Sequence, residues 1–407
     1  MKRTRRFLAM LLVLALLLCA CAAREEQREE REARPAAESA PEEGEGPAPA
    51  GEAPKPAEEE LPPAEDDGSG FTLWIAEDAP LSGDMAALCE QYLRQAPDCG
   101  LVLRRFATSE ELDAALETGK PDLLLCGGVR AAALIAAGRG GVPVLSGETQ
   151  RRMPLLFREA PGCAEGLYCP LGAALPVLTL REENLPLLSG CGSMESLCAA
   201  AGLSGQENGA PFLSADSFSQ LFAGMLAQKG RVFYAMREQD LENQEYRAVY
   251  NLLAGAAYDG GLVSADEAVL PMVARGELIC GVCSSRELFR REAQSLIVLP
   301  LPPMEGCEAL TETEFWGLLS MSGRERPDAV RFVAWLLQEG RAAEAALAVG
   351  LLPAEEGDWS TELDAAAAGL LCVVRTTRPW VPEKDGAYLR SGADFEQSFR
   401  AALALLG

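Results

Sequence analysis

Residues 117–137 read ETGKPDLLLCGGVRAAALIAA, and this stretch decides the fold class. Asp122–Cys126 (DLLLC) is of strand length and apolar without a break from Leu123, closed by Gly127-Gly128 and followed by the alanine-rich helical run Arg130–Ala137. A strand apolar on both faces needs cover on both faces, which points to a parallel sheet between layers of helices. Upstream, Phe71–Ile75 (FTLWI) and Leu101–Leu103 repeat the strand pattern. Between them, Met85, Leu88, Cys89, Tyr92 and Leu93 recur at helical spacing, and Thr108-x-x-Glu111 is a capping box that opens a helix through Leu116. Strand and helix alternate, so the class is α/β.

Downstream the pattern is less regular. Leu175–Leu180 reads as a strand interrupted at Pro176, which predicts an edge or a crossover. Helices are expected at Ser193–Ala201, Ser217–Gln228, Leu241–Ala257, Asp266–Arg275, Asp328–Gln338, Ala342–Val349, Glu362–Leu371 and Asp394–Leu406. Strands are expected at Leu278–Cys283, Leu296–Leu299 and Gly317–Ser320. There is no internal repeat and no second linker, so these pieces read as one interleaved body.

The chain has 407 residues, more than one hydrophobic core usually organises, so two lobes are expected. Lys2, Arg3, Arg5 and Arg6 precede the apolar run Phe7–Leu18, a secretory signal too short to span a bilayer. It ends in Leu18-Cys19-Ala20-Cys21, which resembles a bacterial lipobox with Cys21 as the lipidated residue. An ordinary cleaved signal or an uncleaved anchor is the plainer alternative. Residues 22–70 are Glu, Pro, Ala and Gly with almost no large apolar side chain, the composition of a disordered acidic linker. As a flexible coil it reaches about 40 Å. The net charge is −25, and no basic cluster offers a nucleic acid its phosphate contacts. Histidine is absent, which excludes His-activated nucleophiles and His-based metal sites, and neither a metal nor a cofactor is expected. Without Cys19 and Cys21, eleven of the thirteen cysteines remain, an odd number that cannot all pair within one chain.

The order of segments resembles the extracellular solute-binding proteins of ABC importers, of the sugar-binding, maltose-binding-protein type. Glu117-Thr-Gly-Lys-Pro-Asp122-Leu-Leu-Leu resembles that family's short helix, Gly and Pro-Asp-Leu run. Tyr168-Cys-Pro170 through Asn184 resembles its first crossing between lobes, with Leu180-Arg-Glu-Glu183 where Asn-Lys-Asp is usual. Leu270–Ser285 (LPMVARGELICGVCSS) resembles its basic-Gly-strand segment, with Val273 for a phenylalanine and no final tryptophan. Leu299–Gly306, Phe315-Trp-Gly317-Leu-Leu-Ser320 and Pro327–Leu337 resemble the return crossing and its helix, and Gly350-Leu-Leu-Pro353-Ala resembles a later motif. The resemblance implies a two-lobed periplasmic-binding-protein type II fold, each lobe a mainly parallel sheet flanked by helices and joined by crossover strands. It places residues 71–168 and 286–318 in lobe 1, and residues 169–285 and 319–407 in lobe 2. It also implies a monomer, lipid-anchored on the extracytoplasmic face of a bacterial membrane, that passes a small solute to an ABC importer.

In open parallel sheets, ligands bind beyond the C-terminal ends of strands. Four turns qualify as candidates. Glu77 and Asp78 follow the first strand and offer carboxylates, or are plain surface charge. Gly127 and Gly128 open the backbone to a ligand, or make a turn before a helix. Ser284 and Ser285 offer hydroxyls, or an N-cap. Phe212 and Ser214 stand in a loop that the resemblance aligns with a ligand-facing stretch. Aromatic rings stack on sugar faces, and Phe315 and Trp316 at the second crossing and Trp380 late in the chain are placed to do so. Trp74 and Trp335 sit at core spacing and read as packing. Two alternatives stay open: a surface enzyme or thiol redox protein working through Cys280-Gly-Val-Cys283, and a degenerate binding-protein fold that engages a protein partner.

Overall fold

The structure is a computed structural model that describes residues 70–209, 211–231, 243–265, 267–289, 295–355, 369–382 and 386–406. The signal, Cys21, nearly all of the 22–70 linker, and most of the helix expected at Glu362–Leu371 lie outside the described residues.

The opening alternation folds as its pattern predicts. β1 (Phe71–Ala76), β2 (Leu101–Phe106) and β3 (Leu123–Gly127) pair in parallel, with β1 between the other two. The helices Ser82–Gln95 and Ser109–Thr118 make the crossovers. Thr108 caps the second of these, its hydroxyl accepting the Glu111 N–H at 3.2 Å, while the Glu111 carboxylate accepts the N–H of Ala107 at 3.0 Å. β4 (Tyr168–Ala174) and β5 (Pro176–Arg181) are separated by Leu175 alone and belong to different sheets. Pro176 therefore marks a crossing, where a missing N–H costs no ladder bond.

β5 joins β6 (Leu213–Ala215), β7 (Cys280–Ser284) and β8 (Leu296–Leu299) in a four-stranded sheet of order β6-β7-β5-β8. β9 (Leu310–Glu312) then leads into β10 (Glu314–Ser320). β10 runs antiparallel between β3 and β4, in a six-stranded sheet of order β11-β4-β10-β3-β1-β2, with β11 being Leu352–Pro353. A third crossing follows: β12 (Arg378–Trp380) pairs with β9, and the helix Gly386–Leu406 stacks Phe395 on Phe222 of the helix Phe218–Gln228, 4.5 Å between centroids. The core forms two clusters. One, with Phe71, Leu124, Phe157 and Phe332, runs from the six-stranded sheet onto one face of the four-stranded sheet through Val177, Cys283 and Val298. The other, with Phe218, Phe222, Leu253 and Phe399, covers the opposite face of the four-stranded sheet.

Sheet pairing revises the expected lobe boundaries. Residues 169–174 lie in β4 of the six-stranded sheet, not in lobe 2. β8, expected in lobe 1, pairs with β5 in the four-stranded sheet. The stretch after residue 318, expected in lobe 2, returns to the first core through Phe332 of the helix Pro327–Leu336 and Ala346 of Arg341–Ala348. An apolar strand pattern shows that a segment is buried; it does not show which sheet buries it.

Candidate functional site

The site grows from the antiparallel register of β10 on β3. Trp316 lies opposite Gly127, at the end of the sheet where β1 and β3 finish and the chain crosses between lobes. A Cβ on Gly127 would stand 3.9 Å from the Trp316 ring, and one on Gly128 would stand 3.0 Å from the Phe315 Cβ. The two glycines thus make room for the aromatic pair of the second crossing. Phe315 is fully buried, its ring 6.0 Å from that of Phe157, and so cannot touch a ligand as expected of it. Trp316 is half-buried, packed in part on the core. Its indole N–H donates to Glu314 Oε1 at 2.7 Å, and the same oxygen accepts from Arg286 Nη2 at 2.8 Å.

Glu77 and Asp78 stand at the end of β1. Glu77 is paired with Arg105 at 3.0 Å, and both are about half-exposed. Asp78 accepts the Ser109 N–H at 3.0 Å and the Ser109 hydroxyl at 2.9 Å, adding a second acceptor at the start of the helix Ser109–Thr118. The Ser109 N–H, above all, holds the Asp78 carboxyl below its ordinary value.

On the second lobe, Ser284 is half-buried and its Oγ accepts the Arg286 N–H at 3.3 Å. Ser285 is buried: its Oγ accepts the Leu175 N–H at 3.2 Å and its N–H donates to the Leu175 carbonyl at 2.8 Å, clamping the first crossing. Phe212 is buried in the second core, and Ser214 is buried in β6 with its hydroxyl donating to the Val263 carbonyl at 2.8 Å. The loop expected at Phe212–Ser214 runs into a strand, so neither side chain reaches a ligand. Trp380 is half-buried at the third crossing, its ring edge-on to Tyr388 at 6.4 Å and its carbonyl accepting the Thr313 N–H at 2.8 Å. The structure thus brings Gly127, Gly128, Phe315 and Trp316 together and commits Ser214, Ser285 and Phe212 to folding.

The sequence offered no signal for Arg286, Glu314 or the ion cluster at the third crossing. There Arg378 pairs with Glu159 at 2.7 Å and with Glu308 at 2.5 Å. These three, with Gln228 and Leu310, line a cavity of about 420 Å³, and neither Trp316 nor Gly127 borders it.

The thiol-exchange reading fails on geometry. Cys280 and Cys283 are both buried in β7, in core clusters on opposite faces of the four-stranded sheet, so their sulfurs face opposite ways. Burial pushes the Cys283 thiol up to about 12 and raises that of Cys280 further. Among the described residues, no group of three or more Cys, Asp or Glu side chains could hold a metal ion.

The sequence matches no family model and no curated protein. The fold does match solved structures. One is an extracellular solute-binding protein family 1 member from Alicyclobacillus acidocaldarius, at 15% identity over 83% of this chain and 98% of that one, TM-score 0.60. The sugar-binding protein MalE from Xanthomonas citri matches at 13% identity over 82% and 97%, TM-score 0.58. A cyclic alpha-maltosyl-1,6-maltose binding protein from Arthrobacter globiformis matches at 14% identity over 83% and 94%, TM-score 0.57. The chain has the two-lobed α/β fold of these solute-binding proteins.

Proposed function

We propose that this chain is a lipid-anchored extracytoplasmic solute-binding protein. It captures a small solute, a sugar or oligosaccharide, and delivers it to the membrane subunits of an ABC importer. The observation that carries the reading is the half-buried Trp316 ring opposite Gly127, at the strand ends where the chain crosses between lobes. An aromatic face beside backbone and carboxylate acceptors suits a hydroxylated ring. The mechanism is hinge closure: contacts made to solute only when the lobes are shut shift the open–closed population. The activity is binding and delivery, not catalysis. Residues 1–21 serve as the signal and residues 22–70 as a leash that holds a monomeric body near its importer.

A thermal-shift screen with sugars, amino acids, peptides and polyamines tests the reading. A specific solute raises the melting temperature by mass action, and small-angle scattering then shows a more compact particle. A panel without a hit, or a hit without compaction, counts against it.

One observation favours a second reading, a binding-protein fold that engages a protein partner. Asp78, Ser285 and Ser214 are spent on structural hydrogen bonds, which leaves few groups to a solute. Pull-down of a protein together with no hit in the solute screen selects this reading.

A further inference from the structure

Trp316 and Glu314 begin β10 in the six-stranded sheet, whereas Arg286 is in the first turn after β7 of the four-stranded sheet. A single oxygen, Glu314 Oε1, accepts from both the indole and the guanidinium. Arg286 also packs on the first lobe, where a Cβ on Gly350 would stand 3.7 Å from its own Cβ; Gly350 turns the chain there with φ of +74°. The only hydrogen-bonding group of an indole is its N–H, so whatever fixes the acceptor limits the tilt of the ring. Glu314 is about half-exposed and has three rotatable side-chain bonds. A charge-assisted bond from the less exposed Arg286 removes most of that freedom.

We infer that Arg286 of the second lobe is a positioning residue: through Glu314 it sets the orientation of the Trp316 ring on the first lobe. This rests on the reading of Trp316 as the stacking face for solute. It adds that the face is held from across the seam, so the lobe that shuts over the solute also orients the ring beneath it. On this inference Arg286 touches no solute; its effect on binding passes through the indole.

Full-length protein labelled with 15N at its indoles tests this without ligand. Five tryptophans give five indole cross-peaks, and Trp316→Phe identifies one by its loss. The expected result is that Arg286→Leu moves the Trp316 cross-peak toward the position of a water-exposed indole, while the other four stay in place and report an intact fold. Arg286→Lys restores the peak, and Glu314→Gln, which keeps an acceptor but loses the ion pair, moves it the same way by less. A Trp316 peak unmoved by Arg286→Leu overturns the inference. So does a shift in all five, which marks a general loss of structure. In calorimetric titration with maltotriose as probe, Arg286→Leu weakens binding about five- to tenfold, the worth of a well-placed aromatic contact. If wild type takes up no solute while the ligand-free peaks respond as described, the functional reading fails and the positioning role stands.

Discussion

Asp122 and Arg326 form an ion pair at 2.9 Å with each side chain only about a tenth exposed (12% and 11%). They are far apart in sequence, yet they tie together the start of β3 and the entry to the helix Pro327–Leu336. The second carboxylate oxygen of Asp122 accepts the backbone N–H of Thr72 at 2.9 Å and its hydroxyl at 3.2 Å, bringing in β1. Three segments meet on one carboxylate. Removing Arg326 takes this counter-charge from a largely buried carboxylate, and removing Asp122 breaks the tie between all three segments. Asp122→Ala or Arg326→Leu is expected to cost about 3–5 kcal/mol, read from the urea midpoint. The pair Asp122→Asn with Arg326→Met should cost clearly less than the two single changes added together.

Gly317 lies between two strands with no room to spare. A Cβ there would stand 2.2 Å from the carbonyl oxygen of Cys169 and 2.8 Å from the Cα of Pro170, both backbone atoms, where the β10–β4 register shifts. Gly317→Ala is expected to destabilise by about 3 kcal/mol or more. The effect should appear as loss of soluble protein or a steep fall in melting temperature. Gly323→Ala, with no atom within 4 Å of its Cβ, is the matched control.

The cysteines set an alkaline limit. All eleven body cysteines are free thiols, seven buried, three half-buried and Cys372 exposed. Burial raises Cys89, Cys126, Cys163, Cys198 and Cys283 from 9.0 to about 12. Between those values the folded chain keeps protons that the unfolded chain releases. The stability these thiols contribute is therefore complete below pH 9 and declines as pH rises toward 12. Denaturation midpoints should drop over that window, and Cys283→Ala should flatten the drop. Alkylation of native protein at neutral pH should label at most the four accessible thiols, and denaturation should release the remainder.

The proposed tether depends on one atom, the sulfur of Cys21. Cys21→Ser should move the protein from the membrane fraction to the soluble fraction and leave its solute affinity unchanged. A variant that stays with the membrane shows that something else holds it.

Much of this could be read from residues alone. Phe71–Ile75 and Asp122–Cys126 are buried on both faces, so their composition declared them. Thr108 and Glu111 declared a cap three residues apart. What failed was pairing at a distance. Nothing near Glu314 says that β10 slots between β3 and β4, and nothing in β4 or β8 says which sheet each joins, which is what displaced the lobe boundaries. β9 and β12 have three residues each, too short for any periodicity. In the site, Trp316 and Gly127 were named separately, and only the register brings them face to face. Asp78 looked like a free carboxylate because Ser109, the group it binds, stands far along the chain.

The middle position of β10 has a consequence for the birth of the molecule. All four strands of the second sheet, β5 to β8, have been made by residue 299, and β10 begins only at Glu314. Until then β3 and β4 face each other across a gap one strand wide, each with an unsatisfied edge. The half that is synthesised first is therefore finished later than the sheet inserted into it. A chain arriving N-terminus first must carry two open edges while that sheet assembles, which is the interval when a nascent chain is most exposed to wrong pairing. Residues 314–320 end that interval, pairing with both facing edges at once.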